Sequence, residues 1–379
     1  MPCLNEADTL GTCIDKAHAA LREHAIAGEV VVADNGSSDG SRQIALGAGA
    51  RVIDVAERGY GSALMAGIEG ARAPFVIMGD ADDSYDFGEV PRFVAKLREG
   101  YDLVQGCRLP AGGGTVLPGA MPPLHRWWGN PMFSALARGW FRSPIHDVYC
   151  GMRGFRKDFQ QSLEQRCTGM EFATEMIIKA SLRGARIGEV PITLHPDGRR
   201  SHPPHLRTFR DGWRTIRFFL LFSPRWLFLV PGLLMMLLGA VGYAVALPGL
   251  TIRGISFDLH TLLFASLFVI AGYQAVWFAV LTKMFGMAEG FLPGDARASR
   301  VLALFDLERG LALGSVLAIV GVTLLALAIQ RWVAVDFGAL DYPSTMRLVI
   351  PGVMLTTIGM QTVLSSFFAS ILGLQRAHR

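Results

Sequence analysis

The chain has 379 residues, 51% of them hydrophobic and 18% charged, with a mean hydropathy of +0.34, too apolar for a wholly water-soluble protein. A formal charge of +4 is too small to argue for nucleic acid as a partner. Cys3, Cys13, Cys107, Cys150 and Cys167 are odd in number and lack Cys-x-x-Cys spacing, which argues against zinc or redox motifs and fits free thiols in a reducing cytoplasm. Met1-Pro2-Cys3-Leu4-Asn5-Glu6 has neither the basic nor the apolar region of a secretory signal, so none is expected.

In the first half, apolar runs alternate with charged and glycine-rich segments. Leu10, Ile14, Ala17 and Leu21 recur at helical spacing between Thr9 and Ala25, and Glu29–Asp34 is a short strand ending in an acid. A helix over 39–48, a strand over 51–55, a helix over 61–72, a strand ending at Asp80, a helix over 89–99 and a strand over 102–106 follow. A further helix is expected over 169–183 and a strand over 187–192. Regular βα alternation predicts a doubly wound α/β domain with a mostly parallel, Rossmann-like sheet, and ligands collect outside the carboxyl ends of such strands.

That rule gives the step Val76-Ile77-Met78-Gly79-Asp80-Ala81-Asp82 its meaning. A continuous apolar run is a strand buried on both faces, and it stops at two carboxylates spaced i, i+2. The pair repels itself unless a hard cation or a donor-rich ligand compensates it. Oxygen ligation with open positions suits Mg²⁺ or Mn²⁺ bridging to substrate phosphates, whereas a solvated acidic loop is the plain alternative. Asp34 ends another strand, where an acceptor can take a base N–H or a ribose hydroxyl, and the turn through Gly36 lets the backbone approach closely.

Beyond Arg199 the composition changes. A basic juxtamembrane helix is expected within 201–225, and four apolar stretches follow, Trp226 to Leu247, Leu259 to Leu281, Leu311 to Ile329 and Leu348 to Leu372. Each is near the roughly 20 residues that cross a bilayer core, so residues 226–379 read as a four-helix transmembrane domain behind a catalytic domain over 1–200. Arg214, Arg217 and Arg225 precede the first span; Lys283, Arg297, Arg300 and Arg309 lie between the second and third; Arg376 and Arg379 follow the fourth. Only Arg253, Arg331 and Arg347 stand on the other side, which places the soluble domain and both termini in the cytoplasm. The expected spans hold no Asp, Glu, Lys or Arg, unlike those of most transporters, and read as an anchor or lipid platform.

Asn5-Glu6, the run from Asp34 to Ser41, Arg58-Gly59-Tyr60-Gly61 and Asp80-Ala81-Asp82 stand in the order of a known pattern. The chain resembles family 2 glycosyltransferases of the GT-A fold, specifically polyprenyl-phosphate (dolichol-phosphate) glucose and mannose synthases. The resemblance implies an inverting, metal-dependent transfer of a hexose from UDP-glucose or GDP-mannose to a membrane polyprenyl phosphate. Asn5, Glu6, Asp34, Gly36, Gly59, Gly61 and Asp80 would then border the nucleotide sugar, and Asp80 and Asp82 would hold Mg²⁺ or Mn²⁺. Related synthases often carry a Gln where Ser84 stands, a departure that leaves a third protein ligand open.

Asp147 and Arg153 match an Asp-x-x-x-Gly-x-Arg segment that lies near the acceptor in this family. Asp147 is a general-base candidate; because an acceptor phosphate is already ionised, it is read as orienting sugar or cationic neighbours, or as paired with Arg153. Arg126 opens a Trp-rich stretch long enough for an interfacial amphipathic helix, a core helix being the alternative. With Arg138, which resembles a second family arginine, and Arg153, it is assigned to the acceptor phosphate. The family's closing Lys is absent, and Arg199, Arg200 or Arg207 would replace it, or Arg207 would join a membrane-surface stripe. Of the acids Glu171 and Glu175, only Glu175 falls where related synthases carry one, a simple surface carboxylate being the alternative for either.

In the family, the segment equivalent to Pro2–Glu6 ends a central first strand, and this sequence starts at Met1, so a start further upstream is expected. A processive polysaccharide synthase is the second reading, disfavoured because Phe222 stands where those enzymes carry Gln ahead of Arg225-Trp226. A catalytically silent membrane scaffold is the third. Homo-oligomers remain compatible with the sequence.

Overall fold

The computed structural model describes residues 1–199, 208–290, 292, 294 and 306–374. Two compact units result, Met1–Phe219 and Leu220–Arg379.

The first unit alternates helix and strand as expected. Strands β1 (Pro2–Cys3), β2 (Val31–Asp34) and β3 (Arg51–Asp54) pair in parallel, with α1 (Leu10–Glu23), α2 (Ser41–Gly47) and α3 (Tyr60–Gly70) in the crossovers. Leu10, Cys13, Ile14 and Ala17 bury one stripe of α1, the face that its periodicity marks. Strands β4 (Phe75–Met78), β5 (Leu103–Cys107) and β8 (Ile187–Pro191) belong to a second sheet, with α4 (Val90–Arg98) between the first two. A fourth strand, β7 (Arg153–Arg156), lies antiparallel between β4 and β5, so the sheet order is β4-β7-β5-β8. The sequence gives little warning of β7, whose short Arg-Gly-Phe-Arg run has no apolar alternation. A parallel pair, β6 (Thr115–Val116) with β9 (Thr193–Leu194), and helices α5 (Asn130–Phe141), α6 (Lys157–Ser162), α7 (Glu171–Leu182) and α8 (Thr208–Leu221) complete the elements used below. A cavity of about 350 Å³ lies between β2 and β4, against Met1 and Pro2.

β4 stops at Met78, two residues short of its expected end, and the chain turns so that Asp80 and Asp82 sit at the strand's carboxyl end. Gly79 permits the turn: a side chain there would meet the Phe87 ring at 2.9 Å.

In the second unit, four helices are long and apolar enough to cross a membrane, Arg225–Ala246, Leu259–Ala288, Leu307–Val333 and Tyr342–Gly373. They overrun the expected spans, so Lys283, Glu308, Arg309, Arg331 and Arg347 fall within helix near the ends. The spans approach backbone to backbone. A Cβ on Gly232 would stand 2.8 Å from the Gly272 carbonyl, one on Gly239 2.8 Å from that of Ala265, and one on Gly314 2.8 Å from that of Gly359. Tyr273 and Thr362 share a hydrogen bond of 2.6 Å between the second and fourth spans.

Candidate active site

The site forms where the loops after β1, β2 and β4 converge. Asn5 adopts φ +59°, its N–H donates to Ser37 Oγ at 2.9 Å, and its Oδ1 accepts from the Ser38 N–H at 2.8 Å. Asp34, buried at the end of β2, accepts from the Ser37 N–H at 3.3 Å. Gly36 has φ +92° with open space around its Cβ position, so conformation, not crowding, requires glycine there.

Asn35 stitches this turn to the next loop. Its Oδ1 accepts from the Gly59 N–H at 2.7 Å, while Nδ2 donates to the Glu57 and Val55 carbonyls at 2.8 and 3.3 Å. Gly59 and Gly61 were expected beside the nucleotide, yet the contact that excludes a side chain comes from protein. A Cβ on Gly59 would lie 2.3 Å from the Thr168 carbonyl, and one on Gly61 2.3 Å from that of Cys167. Glu175 fixes that facing loop by accepting from the Arg166 and Cys167 N–H groups at 3.0 and 2.9 Å, and it pairs with Lys179 at 2.8 Å. Both acid and lysine are buried, so Glu175 is a brace and not a surface carboxylate. Glu171 stays part-exposed, 3.8 Å from Arg214.

Asp80 and Asp82 form the acidic centre. The Tyr60 phenol donates to Asp80 Oδ1 at 2.8 Å, and only glycine fits at position 151, where a Cβ would stand 2.6 Å from Asp80 Oδ2. Asp80 is part-buried, and that desolvation, with the charge of Asp82, pushes its pKa up to about 6. Asp82 Oδ1 accepts from the backbone N–H and hydroxyl of Ser84 at 3.1 and 2.6 Å. Thus the residue in the family's Gln position orients Asp82. Asp82 Oδ2 lies 3.4 Å from Arg199 Nη2, and Arg199 forks onto Glu6 with two contacts of 2.7 Å. Among the described residues no group of three or more His, Cys, Asp or Glu side chains is placed to hold a metal. The two carboxylates fit a divalent ion that takes its remaining oxygens from substrate and water, and the raised Asp80 pKa marks a charge that lacks full compensation.

Behind this pair, Asp147 is fully buried and paired with Arg108, not with Arg153. Arg108 Nε donates to Oδ2 at 2.7 Å, Nη2 to Oδ1 at 2.9 Å, and the Arg108 N–H to Oδ2 at 3.0 Å. With both oxygens engaged and no exposed surface, Asp147 orients a cationic neighbour and offers substrate no free base. The assignment of Arg153 to the acceptor phosphate is likewise corrected: it is fully buried on β7, its Nη groups donate to the Ala173 and Cys150 carbonyls at 2.6 and 2.7 Å, and burial lowers its pKa. Tyr85, also buried, accepts from the Gly151 N–H at 2.8 Å, with Arg108 Nη1 at 3.5 Å.

The Trp-rich stretch buries one face of α5 and leaves two tryptophans exposed. Phe133, Ala137 and Phe141 of α5 are buried, with Phe133 and Phe141 packed edge-on to Phe219 of α8, while Trp127 and Trp128 are 66% and 72% exposed. Arg126 lies over the Trp127 ring at 5.1 Å and its Nε has no hydrogen-bond partner; Arg138 is exposed, with one Nη donating to the Ile145 carbonyl at 3.2 Å. Arg200 and Arg207 lie outside the described residues.

Sequence reasoning missed roles for Arg108, Asn35, Tyr60 and Tyr85. Arg108 carried a usable signal, since it follows the apolar run of β5 directly and so must stand at a strand's carboxyl end.

Residues 1–163 match the family model "Glycosyl transferase family 2", and residues 280–373 match "Glycosyltransferase family 2 C-terminal transmembrane region". Fold, acidic centre and apolar spans together define a membrane glycosyltransferase with a GT-A-type α/β unit. The chain is 37% identical over 375 residues to the low-salt glycan biosynthesis hexosyltransferase Agl6 of Haloferax volcanii, covering 98% of this chain and 88% of the relative. It belongs to glycosyltransferase family 2. A dolichyl-phosphate hexose transferase of the same organism is 38% identical over 165 residues, 43% of this chain and 68% of the relative. The crystal structure of glucosyl-3-phosphoglycerate synthase from Mycobacterium tuberculosis with Mn²⁺, UDP and glucosyl-3-phosphoglycerate aligns with TM-score 0.45 at 21% identity, covering 58% of this chain and 75% of that one.

Proposed function

We propose that the enzyme transfers a hexose, glucose or mannose, from UDP-glucose or GDP-mannose to a membrane polyprenyl phosphate with inversion. The carrying observation is the acidic pair Asp80–Asp82 at the end of β4, hemmed by tyrosine and arginine, an arrangement that suits a divalent cation. The names of the two Haloferax relatives support the hexose and the lipid phosphate.

Asp34, Asn5 and Gly36 form the nucleotide side of the site. Mg²⁺ or Mn²⁺ on Asp80 and Asp82 would neutralise charge developing on the leaving diphosphate. An oxygen of the acceptor phosphate attacks the anomeric carbon in line; the new C–O bond forms as the bond to the donor's β-phosphate breaks, and the electron pair leaves with the nucleoside diphosphate. No proton need be removed, which agrees with the closed pairing of Asp147. Arg126 and Arg138, on the Trp-rich stretch, hold the acceptor phosphate in this reading, and the Lys/Arg bias of the loops supports a cytoplasmic catalytic unit.

Membranes containing the protein, incubated with radiolabelled UDP-glucose or GDP-mannose, should yield a labelled, acid-labile lipid. Asp82→Ala should abolish it, and undiminished transfer by that variant would overturn the assignment.

A further inference from the structure

Arg199 faces more acid than one guanidinium balances. Nε and Nη2 each reach Glu6 at 2.7 Å, Nη1 reaches Asp197 at 2.9 Å, and Nη2 also lies 3.4 Å from Asp82. These groups are withdrawn from water: the side chains of Arg199, Glu6 and Asp82 are 11%, 7% and 14% exposed. The segment carrying Arg199 is held independently of its charge, because the His195 N–H donates to the Ser84 carbonyl at 2.9 Å and the Gly198 N–H to the Asp82 carbonyl at 3.0 Å. Main-chain bonds therefore fix where Arg199 starts, and the Glu6 fork fixes where its guanidinium ends.

The distances rank the partners. Glu6 holds the guanidinium in a two-point grip, while Asp82 shares the Nη2 edge from further away. Glu6 is thereby engaged within the protein, although its motif position had put it beside the nucleotide.

We propose that Glu6 is a positioning residue that holds Arg199 back from full contact with Asp82, and that Arg199, kept at that distance, sets the divalent-ion affinity of the Asp80–Asp82 pair, guanidinium and ion competing for one carboxylate. This rests on the reading of that pair as an ion site. A unit charge beside Asp82 opposes entry of a second cation; anchored by Glu6, it closes on Asp82 only as far as the fork allows. Arg199 then weakens the pair's hold on the ion, so that firm retention requires the oxygens of the donor diphosphate as well.

The test is Mn²⁺ binding by the full-length protein in detergent micelles, without nucleotide, read from the electron paramagnetic resonance of free Mn²⁺. Arg199→Gln should bind Mn²⁺ more tightly, on the order of tenfold, from removal of one charge beside a divalent ion in a partly screened site. Arg199→Lys, which keeps the charge, should stay within about threefold of the parent. Glu6→Gln frees the guanidinium to move onto Asp82 and should weaken binding. Added to Arg199→Gln, the same change should do almost nothing, because Glu6 acts through Arg199. Equal or weaker binding by Arg199→Gln, or an equal effect of Glu6→Gln in both backgrounds, would overturn the proposal. If Arg199→Gln fails to fold, Glu6→Gln decides alone, and unchanged affinity counts against the idea. Should the parent and Asp82→Asn bind Mn²⁺ alike, it is the ion-site reading that fails.

Discussion

Tyr60→Phe removes one hydroxyl and nothing else, and its cost should depend on pH in a manner set by Asp80. The phenol donates to Asp80 Oδ1 at 2.8 Å, a charge-assisted bond of the kind worth about 1.5–3 kcal/mol. Asp80 has an escape, which is to take up a proton. With its pKa at about 6, the neutral form lies only about 1.4 kcal/mol above the ionised form at neutral pH. That gap caps the cost of the variant there, because the orphaned carboxylate protonates before it loses more. The sign follows from linkage. The folded pKa stands above the ordinary 3.8, so Asp80 favours folding in acid and loses that contribution as pH rises through about 6. Without the phenol the loss continues to higher pH. Tyr60→Phe should therefore cost only a few tenths of a kcal/mol near pH 5, about 1.4 near pH 7, and up to roughly 2.7 near pH 8. Urea unfolding of the full-length protein in detergent and chelator, followed by near-ultraviolet dichroism, measures these displacements. An equal displacement at the acid and alkaline ends would refute the reasoning.

Asp147→Asn should act on stability before catalysis. It leaves Arg108 buried against a neutral amide, a loss of about 3–5 kcal/mol, and thermal unfolding should show a large fall in midpoint. Gly61→Ala and Gly36→Ala separate crowding from conformation. The first drives a methyl group to 2.3 Å from the Cys167 carbonyl and should cost about 1–3 kcal/mol, with a displaced 166–168 loop detectable by hydrogen exchange. The second meets open space and should cost only the roughly 1–2 kcal/mol of a left-handed residue. Glu175→Gln should loosen the same loop and increase its exchange, since it weakens two backbone acceptor contacts and unpairs Lys179.

What could be read from the sequence was what is local. Asp34 and Asp80 announce themselves because an apolar run of strand length ends at each, and the α1 stripe is visible in its spacing. The membrane spans are equally plain, for length and hydropathy are properties of a segment alone. Roles decided by a distant partner were hidden. Asp147 takes its role from Arg108, 39 residues away, and Arg199 from Glu6, 193 residues away, and neither pairing has a spacing to betray it. Arg153 was misplaced for a topological reason. Its strand runs antiparallel between β4 and β5, an insertion that βα alternation does not foretell, and this turns a motif arginine into the sheet's interior. Gly59 and Gly61 were noticed correctly as glycines that must be glycines, but the crowding group is a carbonyl of the chain itself.

The glycine contacts between spans carry a consequence for how freely this protein can drift. A plain anchor asks only that its residues be greasy, and exposed positions such as Leu237, Leu313 and Ile319 can exchange among apolar side chains with little effect. Gly232, Gly239 and Gly314 have no such liberty, since even a methyl group would press on a neighbouring backbone at 2.8 Å. In a library of random substitutions the second unit should show two alphabets, one permissive toward lipid and one closed to everything but hydrogen. A segment with the closed kind has been held to a shape, and greasiness alone does not describe what it is for.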